Sequence, residues 1–187
     1  MMAAALKAFP LMIALAGGIS GDVVAGHGDP NGPARPHWSE VKWPFPIDQW
    51  GTGRAFQCSA DACGVLVNLY LRPKLGFCNC ARGVYDDAEL DRVGDVALLG
   101  PQFSGAGGGR PVTVGWMEGR SRAFLVAGPY QRPGSAAAIA FNNKCDVVVA
   151  TVIADADLTR GERAALQFLN SEVVLRWARA ELGSNGS

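Results

Sequence analysis

Between residues 54 and 153 the apolar runs come in pairs closed by short polar or glycine-rich breaks, and a sustained helical period appears only afterwards. Residues 54–58 and 65–71 flank a break at 59–64. Residues 111–118 and 122–127 flank Gly119-Arg120-Ser121, and residues 135–141 and 146–153 flank 142–145. Runs joined by so few residues pair as antiparallel hairpins, because a parallel crossover needs a dozen residues or more. In the second run Val65, Val67, Leu69 and Leu71 share one face while Asn68 and Tyr70 take the other, the alternation of a half-buried strand. Residues 72–76, with Pro73 and Gly76, read as a turn from which 77–81 runs back.

Helical signals are few. Residues 86–93 carry Asp86, Asp87 and Glu89 at their start, where carboxylates suit the positive end of a helix dipole. Thr159-Arg160-Gly161-Glu162 matches a capping box, and Leu166, Leu169, Val173 and Trp177 recur at helical spacing. Asn170-Ser171 offers a restart with Ser171 as N-cap, so a break there stays open, and Gly183 is a stop. Strands in hairpins followed by helix, without strand–helix–strand alternation, exclude a parallel doubly wound sheet. The expected fold is α+β: an antiparallel sheet of five or more strands with a C-terminal helix packed on one face.

Of the 187 residues 49% are hydrophobic and 18% charged, which excludes wholesale disorder. Seventeen basic and seventeen acidic side chains cancel, against the clustered positive face that nucleic acid requires. Lys7, then an apolar stretch over 8–16, then Val23-Val24-Ala25 before Gly26, have the layout of a cleaved secretory signal over 1–25. That stretch is short of the ~20 residues a membrane-spanning helix needs. Residues 26–37 read as a flexible leader, 38–183 as one globular domain and 184–187 as a polar tail. The expected location is therefore the periplasm or the medium, with no stable membrane insertion after cleavage.

An oxidising compartment sets how the five cysteines are read. Cys58 and Cys63 bracket the first hairpin break and are expected to pair. Cys78-Asn79-Cys80 strains disulfide geometry if closed on itself, so one of its two cysteines, Cys78 or Cys80, is expected to bond Cys145. The alternative is a thiol-redox pair or a copper site on Cys78 and Cys80, since soft thiolates select Cu(I). The spacing fits no zinc ribbon or finger.

His27 and His37 are the only histidines. A histidine-based nucleophile system would draw its base from the leader, a poor place to hold geometry. His27 near a new α-amine is a Cu(II) ligand candidate, with a solvated tail residue as the plainer reading. Asp86, Asp87, Glu89, Asp91 and Asp95 lack the alternation and central glycine of an EF-hand loop and read as a solvated helix start. Gly105-Ala106-Gly107-Gly108-Gly109 matches neither phosphate-loop pattern and reads as a flexible spacer.

Trp38, Trp43 and Trp50 fall within 13 residues, with Phe45 among them and Pro44 and Pro46 enforcing extended backbone. This segment is expected to be an edge strand or a strap on the sheet. Trp43, Phe45 and Trp50, with the glycine loop, are the candidate contact surface for a ligand or partner. The expectation is an exported, non-catalytic module that binds a protein partner or small ligand in the cell envelope without a cofactor.

Overall fold

The computed structural model describes residues 36–128 and 131–183. The signal, most of the leader with His27, and the polar tail lie outside the described residues. Among the described residues eight strands form one antiparallel sheet: β1 (Trp38–Val41), β2 (Arg54–Cys58), β3 (Val67–Lys74), β4 (Gln102–Gly105), β5 (Arg110–Val114), β6 (Met117–Gly128), β7 (Gln131–Asn143) and β8 (Asp146–Ala154). Their order is β1-β2-β3-β8-β7-β6-β4, and β5 continues the outer edge of β6 beyond β4. Among the described residues four α-helices accompany the sheet: α1 (Ala60–Cys63), α2 (Asp87–Val93), α3 (Leu158–Leu169) and α4 (Glu172–Gly183). None of the described helices is long and apolar enough to cross a membrane.

The expected α+β architecture is present, and the hairpin pattern explains it. Strand β8 is buried on both faces from Val147 to Val152, which is why its sequence runs apolar without alternation. On one face Leu69, Leu71, Ile139, Phe141, Val148 and Val152 meet Ala165, Leu169, Val174, Ala178 and Leu182 of α3 and α4. On the other face Ala138, Ala140, Val147 and Val149 are covered by Val84, Leu90, Val93 and Val96. Alanine at 138 and 140 keeps that floor low enough for α2 to sit close.

The helices do break at Asn170, and the break changes the phase of the buried stripe. Val173 is 50% exposed and Val174 fully buried, so the continuous stripe through Val173 is not the packed one. The N-cap of α3 is Asp157, which accepts a hydrogen bond from Arg160 N at 3.0 Å, in place of the expected Thr159. Asp86, read as the first helical residue, stands just before α2 as its N-cap and accepts a hydrogen bond from Glu89 N.

Three local expectations are corrected. Residues 72–74 are strand, paired with Val147 to Val149 of β8. Pro73 is tolerated because β2 ends opposite Leu71, leaving the far side of that stretch without a partner strand. Residues 77–81 are irregular loop instead of a returning strand. The second hairpin turns at Gly115-Trp116, where Gly115 has φ of 58°, and Gly119-Arg120-Ser121 lies inside β6.

Candidate functional site

The expected strap is present, but it does not form one aromatic strip. Trp38 lies in β1 and stacks on Phe168 of α3, centroids 4.8 Å apart, on the helix-covered face. The chain then crosses the sheet edge. Trp43 meets Phe45 and Tyr70 edge-on at 5.3 and 6.1 Å, while Trp50 lies 4.5 Å from Phe77. Gly53 leaves the space that the Trp43 ring fills. Trp43, Phe45 and Trp50 thus roof part of β3, whereas the glycine loop lies beyond β6, three strands further on. At about 4.8 Å per strand the two are separated by roughly 15 Å, so the sheet does not merge them into one surface.

Beneath the strap lies a charge cluster that the sequence reading missed. Arg72 and Lys74 project from the face of β3 opposite Leu71, and both are buried. Arg72 reaches Asp95 through two hydrogen bonds and Asp48 through a third at 2.6 Å. Lys74 Nζ lies 2.7 Å from Asp95 and donates to Val93 O at 2.6 Å. Burial works against the Arg72 charge, but Asp95 and Asp48 outweigh it and its pKa is raised. Lys74 goes the other way: desolvation lowers its pKa despite Asp95. Its ammonium sits 5.6 and 5.5 Å from the Trp50 and Phe77 rings. The signal was an alternation running on through Asn68, Tyr70, Arg72 and Lys74, which Pro73 masked.

The glycine segment is tied down, contrary to the expected spacer. Ala106 N donates to Ala123 O, Arg122 Nε to Gly107 O, and Gly109 N to both carboxylate oxygens of Asp87. Asp87 also accepts from Arg120, which donates to Gly109 O. These bonds satisfy the backbone groups a glycine run would otherwise leave to water. The remaining helix-start acids are also engaged: Glu89 with Arg92, Asp91 with Arg122 and Asp95 with Arg72.

Two disulfides are formed, Cys58–Cys63 and Cys80–Cys145. Cys78 is buried and keeps its thiol, which donates to Lys144 O at 3.2 Å. Burial, reinforced by Glu89 and Asp146, pushes that thiol up to about 11. The thiol-redox or copper alternative at Cys78 and Cys80 would first require the Cys80 bond to open.

The second disulfide positions a site. It fastens the 79–85 loop to the β7–β8 turn, where Lys144 takes a φ of 55°. Asn142 of β7 accepts from Val84 N at 3.0 Å and donates to Lys144 O. Asn79 Oδ1 accepts from Ala81 N and Arg82 N, and Gly83 N donates to Asn79 O. The loop held this way overhangs the cross-strand row Thr113–Glu118–Asn142 and encloses a cavity of about 300 Å³. Val84 lies at its inner side, and Arg82 and Tyr85 stand on its rim, the guanidinium 5.5 Å from the ring centroid. A second hollow of about 240 Å³ lies across Arg82 and Tyr85, beside Asp86 and Glu89. Sequence reading did not single these residues out, because they come from segments well separated along the chain with no motif.

A wider, open groove of about 920 Å³ lies beyond the start of α3, over Leu125, Ala127, Ser135 and Ala154. Its carboxylate, Asp155, is already bonded to Leu66 N. The 300 Å³ cavity brings a cation, an anion, a phenol and a hydroxyl together, and is the better recognition site. Compared with protein-family models, curated proteins and solved structures, the chain matches none of them significantly.

Proposed function

We propose that this protein is an exported, non-catalytic binding module that takes a small polar ligand in the cavity under the 79–85 loop. The observation that carries this reading is the covalent and hydrogen-bonded anchoring of that loop above Thr113, Glu118 and Asn142. A rim held rigid before binding lowers the ordering cost of capture. Export is supported by the signal layout over 1–25 and by two disulfides, which persist in oxidising compartments. The non-catalytic reading is supported by the lack of any histidine beyond His37, which leaves residues 38–183 without an imidazole base.

Two measurements test it. Expressed with its own N-terminus in a Gram-negative host, the protein is expected in the periplasm, beginning at Gly26; an intact Met1 form in the cytosol would overturn export. A thermal-shift screen of polar metabolites is expected to find compounds that stabilise the wild type but not Tyr85→Ala. Equal stabilisation of both, or none at all, would overturn the cavity assignment.

A second reading is a protein partner in the cell envelope bound to the strap, favoured by Ile47, which is 75% exposed and follows Phe45 and Pro46 in the chain. Photo-crosslinking from position 47 in intact cells should then give a discrete adduct absent from position 173. Matching adducts at both positions would remove this reading.

A further inference from the structure

Resting on the small-ligand reading of the cavity, we propose that its ligand is a zwitterion, with a carboxylate bound by Arg82 and an ammonium bound by Glu118. Most of the other described arginines are already spent on carboxylates. Arg54, Arg72, Arg92, Arg110, Arg120 and Arg122 each pair with a carboxylate. Arg82 pairs with none among the described residues, although Glu89 borders the neighbouring hollow; Glu89 is committed to Arg92 and to Asn79 N. Glu118 is equally unspent. Its neighbours along the same face of β6, Arg120 and Arg122, are paired with Asp87 and Asp91. Among the described residues Glu118 has neither an ion pair nor a side-chain hydrogen bond.

These two opposite charges line the same cavity without bonding each other. A ligand bearing only an anionic group would be drawn to Arg82 and repelled by Glu118, and a purely cationic one would meet the reverse. A molecule with both groups satisfies each. Val84 also lines the cavity and offers apolar contact for a carbon body, and among the described residues neither the Thr113 hydroxyl nor the Tyr85 phenol is engaged in a hydrogen bond, leaving both for polar atoms of a ligand. At about 30 Å³ per water-sized unit, a volume of about 300 Å³ holds roughly ten non-hydrogen atoms, the size of an amino acid or a small dipeptide.

The test uses the mature protein and five probes: alanyl-alanine, its N-acetylated form, its C-terminal amide, free L-alanine and, as an uncharged polar molecule, glucose. Binding is followed by calorimetry and by backbone amide shifts. Alanyl-alanine or L-alanine is expected to move the amides of residues 82, 85, 113, 118 and 142, and the tighter of the two identifies peptide end or free amino acid as the source. Acetylation or amidation is expected to weaken binding tenfold or more. Arg82→Gln should erase the penalty of amidation alone, and Glu118→Gln that of acetylation alone. Neither side chain forms an ion pair among the described residues, so neither variant is expected to unfold the protein. Blocked dipeptides binding as well as the free one would overturn the proposal. If glucose moves those amides while the zwitterions do not, the zwitterion fails and the cavity stands; if no probe moves them, both fail.

Discussion

Arg72 and Asp95 meet in a two-bond fork under the strap, Nε to Oδ2 at 2.9 Å and Nη2 to Oδ1 at 2.7 Å, with the two residues 2% and 7% exposed. Such a fork holds its geometry because guanidinium and carboxylate are both planar. Asp95 also neutralises Lys74, so removing its charge leaves buried Lys74 without an ion pair among the described residues and Arg72 with Asp48 alone. Asp95→Asn is expected to cost about 3–5 kcal/mol in urea unfolding, the range for an uncompensated buried charge. Asp48, 39% exposed, should cost about 1 kcal/mol or less as Asp48→Asn. Equal, small losses at both positions would show that water reaches the cluster.

The two disulfides close loops of very different length, with sequence separations of 5 and 65 residues. By the chain-entropy relation the shorter contributes about 2 kcal/mol and the longer about 4 kcal/mol. Substituting both Cys80→Ser and Cys145→Ser should therefore destabilise the protein more than substituting both Cys58→Ser and Cys63→Ser. The double change at 80 and 145 also denies Cys78 a new partner. The reverse ranking in denaturant melts would refute this account.

Cys78 is expected to resist alkylation in the native state at pH 8 and to react fully after unfolding, giving one thiol per chain. With a folded value of about 11 against an ordinary 9.0, the native thiol keeps its proton where the unfolded one loses it. Its contribution is therefore present below pH 9 and is lost as pH rises toward 11. The stability advantage of wild type over Cys78→Ala should shrink across that window. A constant difference would place the thiol in water.

Asp87 holds the glycine loop from α2, and Arg120 and the Gly109 amide keep its carboxyl below the ordinary 3.8. Its contribution is present above that ordinary value and lost as pH falls through the lowered one. Asp87→Asn should speed hydrogen exchange at Gly109 while leaving the amides of β8 protected. Unchanged exchange at Gly109 would show that the strand edge alone secures the loop.

Much of the fold is legible along the chain. Hairpin pairs, the acids that open α2, the candidate break at Asn170-Ser171 and the late helices are local, since alternation and helix-end signals concern residues a few positions apart. Cys58 and Cys63 belong to the same class, because the hairpin that separates them also brings them together. Pro73 and Gly119 misled for a related reason: each is a breaker in isolation, and only the identity of the neighbouring strand made it acceptable within a strand. Tertiary structure alone decided that Cys80, not Cys78, reaches Cys145, that Asp95 meets Arg72 and Lys74, and that Arg82 and Glu118 border one cavity. Those relationships depend on which strands are adjacent and which face each residue takes, and partners so far apart leave no periodic trace in sequence.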